Sequence, residues 1–397
     1  MYPQRIPHLR CPECAPLGAL SVHALGTAPD GELLASALTC DDCGRWYRIE
    51  DGIADLVRDG LREVEQDRAF LSAHRSHLPA SIHDTGIPFG LNDEMPPPTD
   101  ADHRIIAEGR HWGRFMRRFW DVGDRSIFDI RVKGTHPSFY VKGVLEPDDR
   151  DHDRAWGNFP ARTGEMLFLG MDRFAGKLGV DVGCGGGQFG LEAARRGVRM
   201  FGFDPSFEEV WLARRHARET GESRIDYLRA EPAHPPFAPG IFALLTAKDA
   251  LHHVPDLDSV FPRLIDLLEP GAYTIIHEHT DHALLKTRLM APVWPRAIRK
   301  VRSRYPTVEV PDELLRDSAN EDVSAHLIRP LLAKHFERVQ SREDLFLAAE
   351  IEMIAHYAYG KRRWVTALGR AKGVVAELTL LALGDRQHFS FIGRLRP

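Results

Sequence analysis

The sequence predicts an α/β protein in which a mostly parallel sheet carries helices on both faces, with smaller modules ahead of it. Three observations support this. From residue 161 onward, short apolar runs alternate with amphipathic stretches, the pattern of strands joined by helical crossovers. The cluster Gly183-Cys184-Gly185-Gly186-Gly187 follows the apolar run 178–182 directly and precedes a helical period, so it forms a strand–loop–helix unit. Two C-x-x-C pairs near the N-terminus set apart a short first module.

Seven strands are expected, at 178–182, 200–203, 225–228, 241–246, 272–277, 336–341 and 389–393. Helical periodicity falls between most of them, at 188–196, 207–220, 257–268 and 324–335, and a long helical stretch runs from 345 to 383. Upstream, 61–78 has helical character, while 79–102 contains Pro96-Pro97-Pro98 and little periodicity and reads as a linker. Residues 103–121 return to helical spacing through Ile105, Trp112, Phe115 and Phe119, and β-formers cluster at 126–132 and 138–142. The expected organisation is a small module over 1–58, a linker and mixed α/β cap over 59–160, and the main domain over 161–397.

The chain has 397 residues, 43% hydrophobic and 27% charged, with a formal net charge of −5. That is the composition of a globular protein with room for two or three domains. Its acidic balance does not favour nucleic acid as a partner. No apolar run reaches the roughly 20 residues that span a bilayer, and the first residues lack the apolar core of a signal peptide. A cytoplasmic location without a membrane span is the expectation.

Four of the five cysteines form Cys11-Pro12-Glu13-Cys14 and Cys40-Asp41-Asp42-Cys43, separated by 25 residues. Two such knuckles bring four thiolates to one tetrahedral Zn2+. A site closed by four protein ligands leaves no position for substrate, so the zinc is expected to be structural. Together with Ile6-Pro7-His8-Leu9-Arg10 before the first knuckle and the run Trp46-Tyr47-Arg48-Ile49-Glu50-Asp51-Gly52-Ile53 after the second, residues 6–58 resemble the Trm112-type zinc ribbon. Relatives of that module accompany both nucleic-acid and small-molecule enzymes, so it leaves the substrate open.

The glycine loop satisfies two patterns. Gly185, Gly187 and Gly190 match G-x-G-x-x-G, the dinucleotide fingerprint. In that reading, however, the turn starts too early, because the strand ends at Val182 and Gly183 already turns the chain. D-x-G-x-G-x-G fits in register, through Asp181, Gly183, Gly185 and Gly187. An acid at the strand end suits a cation and repels a pyrophosphate. With these residues the chain resembles the class I S-adenosylmethionine (SAM) methyltransferases. The resemblance implies a Rossmann-like, seven-stranded sheet whose last strand is antiparallel. It also implies cofactor contacts from Asp181, Gly183, Cys184, Gly185 and Gly187, and ribose binding by Asp204 with Pro205 after the second strand. After the third strand, Arg229-Ala230-Glu231-Pro232-Ala233-His234-Pro235-Pro236-Phe237 places Glu231 at the position of the acid that contacts adenine. After the fourth, Lys248-Asp249-Ala250-Leu251-His252-His253-Val254-Pro255-Asp256 is similar to the L-H-H-x-x-D segment of small-molecule methyltransferases, with Lys248 flanking the cofactor.

His252 and His253 are the candidate general bases, since an imidazole accepts a proton near neutral pH. His277-Glu278-His279 ends the fifth strand; alternation puts only the two histidines on one face. No third metal ligand is evident from the sequence, so a polar pocket lining is the expectation there. The cap over 103–160, with Trp112, Phe139, Tyr140, Arg131, Lys133, His136 and Lys142, is the expected acceptor wall. The basic stretch 284–304 is either a solvated face, a lid or a contact with anionic lipid. The sequence thus points to methyl transfer from SAM to a small-molecule acceptor. Two other readings stay open: an RNA or ribosome methyltransferase docked through the zinc ribbon, and a SAM-using enzyme that cyclises the cofactor's aminobutyrate chain.

Overall fold

A computed structural model describes residues 1–14, 18–84, 166–279 except 167 and 255, 325–345, 363–397 except 387, and single positions 100, 103, 285, 288 and 289. The N-terminal stretch supplies four strands, β1 (Leu20–Thr27), β2 (Leu33–Cys40), β3 (Trp46–Glu50) and β4 (Ile53–Asp55), which pair as an antiparallel meander. Asp51 and Gly52 join β3 to β4 with φ of 50° and 74°, as a two-residue type I′ turn requires. Helices α1 (Val64–His74) and α2 (Ala80–Asp84) follow.

Strands β5 (Leu178–Val182), β6 (Arg199–Asp204), β7 (Ile225–Arg229), β8 (Phe242–Lys248), β9 (Leu268–His279), β10 (Phe336–Asp344) and β11 (His388–Leu395) occupy the seven expected places. Around them lie α3 (Gln188–Arg195), α4 (Phe207–Glu219), α5 (Leu257–Asp266), α6 (Ala325–His335) and α7 (Arg363–Ala382). Parallel pairs link β5 to β6 and β8, β6 to β7, and β8 to β9. The last strand, β11, runs antiparallel to both β9 and β10, as expected. Ser206 starts α4 by accepting the Glu209 N–H at 3.3 Å, an N-cap that turns the chain sharply after β6. Among the described residues, no helix is long and apolar enough to cross a membrane.

The N-terminal strands β1–β4 do not stand apart from this sheet. Among the described residues all eleven strands form one sheet, in the order β1-β2-β3-β4-β7-β6-β5-β8-β9-β11-β10. Strand β4 runs parallel to β7, with Ala54 beside Leu228 and Asp55 beside Arg229, and the Leu56 N–H donates to the Arg229 carbonyl at 2.8 Å. Strand β7 is buried along its whole length, so an uncovered edge there would strand its backbone groups away from water. The shared core agrees: Leu9, Leu38, Tyr47 and Ile49 lie in one apolar cluster with Phe201, Phe203, Phe237 and Phe242.

A buried ionic network stitches the same seam. The Arg229 guanidinium is fully buried and donates to both Asp55 oxygens at 3.3 and 3.2 Å, to the Pro205 carbonyl at 2.9 Å and to the Leu61 carbonyl at 3.2 Å. Arg48, equally buried, reaches Asp55 at 2.7 Å and Asp67 at 2.6 Å. Burial alone would raise the Asp55 pKa, but the charges of Arg229, Arg48 and Arg62 outweigh it and hold the carboxyl below its usual range.

The cap expected over 103–160 lies, His103 apart, outside the described residues. So do most of the basic stretch 284–304 and the part of the long helical stretch from 346 to 362.

Candidate functional site

Parallel strands end together, and their carboxyl ends are where ligands bind in open α/β sheets. At the end of β5 the loop turns through Gly183, Gly185 and Gly187 at φ of 61°, 47° and 79°, a region that favours glycine. The three differ in what surrounds them. A Cβ on Gly187 would stand 2.4 Å from Tyr227 Oη and 2.6 Å from Ala213 Cβ, while Tyr227 Oη donates to the Gly187 carbonyl at 2.8 Å. A Cβ on Gly183 would stand 2.6 Å from Ala250 Cβ, whereas the nearest atom to one on Gly185 is 4.0 Å away. Gly187 and Gly183 are therefore packing glycines, and Gly185 presents an open face of backbone. Gly187→Ala is expected to destabilise the fold and abolish SAM binding. Gly185→Ala should keep a folded chain, at about 1 kcal/mol of backbone strain, and still lose the cofactor. Thermal unfolding beside SAM calorimetry separates the two.

The two strand-end acids do different work. Asp181 is 1% exposed; one oxygen accepts the Gly190 N–H at 2.9 Å and the other the Thr246 hydroxyl at 2.7 Å. Burial pushes its carboxyl up to about 7 against those hydrogen bonds. It ties the first turn of α3 to β8 behind the loop. Asp204, at the end of β6, is less deeply buried. Its oxygens accept the Gly185 N–H at 3.0 Å and the Ser206 N–H at 2.9 Å, so it ties the open part of the loop to the second strand. Pro205, beside it, is the residue whose carbonyl Arg229 holds. Cys184 donates its backbone N–H to the Phe203 carbonyl. Burial, with Asp204 and Asp181 nearby, pushes its thiol pKa well up, leaving it a small packing residue rather than a nucleophile.

Glu231 and Lys248 are placed otherwise than expected. Glu231 is 3% exposed and its carboxylate accepts from Arg58 at 2.6 and 3.4 Å, so it belongs to the seam with the N-terminal module. The expected partner was adenine; the described partner of this carboxylate is Arg58. Lys248 forms an ion pair with the adjacent Asp249, so its charge is directed at a carboxylate. A lone reading of the motif after β7 missed this because the partner, Arg58, lies 173 residues away.

The loop after β8 brings a base to the same edge. Leu251–His253 is a single 3-10 turn, and Ala250, which Gly183 touches, immediately precedes it. His252 Nδ1 lies 2.6 Å from Glu278 Oε2, and Glu278 Oε1 accepts the N–H groups of Ala250 and Leu251 at 3.0 and 2.7 Å. Glu278 is fully buried and His252 nearly so. An ionised Glu278 accepts Nδ1–H, which leaves Nε2 as a proton acceptor. The His253 ring sits 4.0 Å from that of His252. Glu278 stood in the sequence only as the middle of His-Glu-His; its signal was the period-two alternation, which puts it on the opposite face of β9 from His277.

Cys11, Cys14, Cys40 and Cys43 gather at the other end of the N-terminal module, with all four sulfurs within 4.8 Å of one another. Cys11 to Cys43 is 3.8 Å and Cys14 to Cys40 is 3.6 Å, close to the spacing of about 3.8 Å that four thiolates at about 2.3 Å from one zinc adopt. The Tyr47 hydroxyl lies 3.1 Å from Cys11 Sγ, where it can orient a metal-bound thiolate. The residues fit Zn2+ held by sulfur alone, which supplies cross-linking and no reaction chemistry.

A seven-stranded core with an antiparallel last strand, a glycine loop after its central strand and an acid at the end of the neighbouring strand define a SAM-binding class of enzyme. A family model described as "Methyltransferase domain" matches residues 180–276. The ubiquinone biosynthesis O-methyltransferase of Pectobacterium carotovorum subsp. carotovorum (strain PC1) is 33% identical over 206 residues, 52% of this chain and 72% of that protein. Its counterpart from Pectobacterium atrosepticum is 34% identical over 206 residues, with the same coverage. Among solved structures, the geranyl diphosphate C-methyltransferase of Streptomyces coelicolor A3(2) aligns at a TM-score of 0.41 and 14% identity, covering 75% of this chain and 99% of that one. The chain belongs to the class I SAM-dependent methyltransferases.

Proposed function

We propose that this enzyme methylates an oxygen of a small-molecule acceptor, with His252 removing the acceptor's proton and Glu278 holding His252 in place. The observation that carries this reading is the 2.6 Å pair between His252 and Glu278 beside the glycine loop. The O-methyltransferase relatives favour an oxygen acceptor over nitrogen or carbon. SAM, when bound, supplies a methyl already activated on a sulfonium. The chain's own task is therefore alignment of the acceptor with that methyl, worth roughly 7–11 kcal/mol in favourable cases. A base is needed because a hydroxyl must lose its proton as the oxygen–carbon bond forms. In this reading Asp204 and the Gly183–Gly187 loop hold the cofactor, Cys184, Pro205 and Asp181 shape its seat, and the four N-terminal cysteines hold a structural Zn2+.

Incubation of the full chain with SAM and a panel of phenols and other small hydroxyl compounds tests this directly. The expected products are S-adenosylhomocysteine and a methyl ether, found by mass spectrometry. Methylthioadenosine would point instead to cyclisation of the aminobutyrate chain, and transfer confined to RNA would overturn the small-molecule assignment. Under the same reading, His252→Ala should lower kcat by about 10²–10⁴-fold and leave SAM affinity unchanged. Glu278→Gln, which keeps an acceptor for the Ala250 and Leu251 N–H groups, should cost less. A kcat for His252→Ala close to that of the parent enzyme would remove the base from the mechanism.

A further inference from the structure

We infer that Asp249, His277 and His388 form a binding site for a divalent transition-metal ion, separate from the cysteine cluster. These residues are far apart in the chain, and the sheet brings them to one point. Asp249 directly follows β8, His277 lies near the carboxyl end of β9, and His388 opens the antiparallel β11 at the same end of the sheet. Their ligating atoms all lie within 4.8 Å of one another, and all three side chains are buried. Asp249 Oδ1 stands 3.6 Å from His277 Nδ1 and 3.7 Å from His388 Nδ1, with the two rings 5.2 Å apart between centroids.

Those separations distinguish a metal site from a hydrogen-bonded triad. An N–H···O bond spans about 2.7–3.2 Å. Ligands sharing one ion at about 2.0–2.2 Å stand roughly 3.0–3.6 Å apart, the upper end being tetrahedral. At 3.6 and 3.7 Å the observed separations lie at and just past that upper end, beyond hydrogen-bond reach. Lys248 engages the other oxygen of Asp249, so the carboxylate offers the imidazoles one oxygen. The backbone is committed to this placement: Asp249 has φ of 48°, unusual for a residue other than glycine, and its N–H donates to the His277 carbonyl at 2.7 Å.

Two imidazoles and one carboxylate suit zinc, iron or cobalt in the divalent state better than the oxygen-seeking Mg2+ and Ca2+ or the thiol-seeking Cu+. Three protein ligands leave coordination positions open, unlike four thiolates, and those positions take an oxygen donor. The site is distinct from the His252–Glu278 pair because Glu278 projects from the other face of β9. It goes beyond the methyl-transfer reading and does not depend on it.

Loading the metal-free full chain with Co2+ tests it without reference to activity. Wild type should bind two Co2+ per chain, one showing intense thiolate charge-transfer bands and one showing only the weaker bands of nitrogen and oxygen ligation. His277→Gln with His388→Gln should lose the second ion and keep the thiolate bands, which also report that the chain is folded. If that pair of changes weakens the fold and the thiolate bands with it, Asp249→Asn alone, read by the same count, decides. A single Co2+ in wild type, or a second ion retained when its ligands are changed in a folded chain, overturns the site.

Discussion

Arg229→Met is expected to destabilise the protein by about 3–5 kcal/mol, because it removes one partner of a buried ion pair and leaves the other in place. The guanidinium is fully buried and makes four hydrogen bonds, to both Asp55 oxygens and to the carbonyls of Pro205 and Leu61. Methionine fills much of the volume but satisfies none of those acceptors. Urea unfolding at neutral pH reads the loss; a change below about 1 kcal/mol would mean that Arg48 and Arg62 carry Asp55 without Arg229. The pH dependence has a defined sign. Asp55 has its folded pKa below the unfolded value, so its contribution is present above about pH 4 and is lost as pH falls through the lower folded value. Without Arg229 the folded pKa rises, and the acid-side loss should begin at a higher pH. The variant should also bind SAM more weakly, since the Pro205 carbonyl adjoins Asp204.

Asp204→Ala is expected to weaken cofactor binding strongly without adding bulk to the glycine loop. Two backbone N–H groups, of Gly185 and Ser206, lose a charged acceptor together, and hydrogen bonds to charged groups are worth about 1.5–3 kcal/mol each. The glycine loop then loses its tie to β6, and under the proposed function the ribose loses its acid as well. SAM affinity should fall by at least about 100-fold, the equivalent of about 2.8 kcal/mol, in calorimetry. Asp204→Asn keeps an oxygen acceptor for one of the two N–H groups and should fall between wild type and alanine. Unchanged affinity in Asp204→Ala would falsify the placement of the cofactor in this cleft.

The architecture was largely legible because it rests on local signals. Period-two and period-3.6 hydrophobicity located every strand from β5 to β11, and the glycine run after Val182 located the loop. Spacing alone singled out Cys11, Cys14, Cys40 and Cys43, whose sulfurs do converge. His252 was marked by its place after β8, but its partner Glu278 depended on which face of β9 meets the turn. Glu231 was read by its distance from Pro236-Phe237, and the structure instead pairs it with Arg58. No local pattern announces an ion pair across 173 residues. The two residues that meet His277, Asp249 just after β8 and His388 at the start of β11, lie far from it or on another strand, where no local pattern links them.

What this sequence determined by itself was a class: strand and helix periods set an α/β sheet, Asp181 and the glycines after Val182 set a SAM loop, and paired knuckles set a thiolate cluster. Each period, loop and knuckle depends on residues within a turn or two of one another, and the two knuckles are linked only by their matching spacing. The tertiary structure alone decided that β4 extends the catalytic sheet through β7, that Arg229 and Arg58 join the N-terminal module to the cleft, and that Asp249, His277 and His388 meet. The physical reason is that strand order and buried charge pairing are settled by long-range backbone hydrogen bonds and desolvation, which no short window of sequence contains.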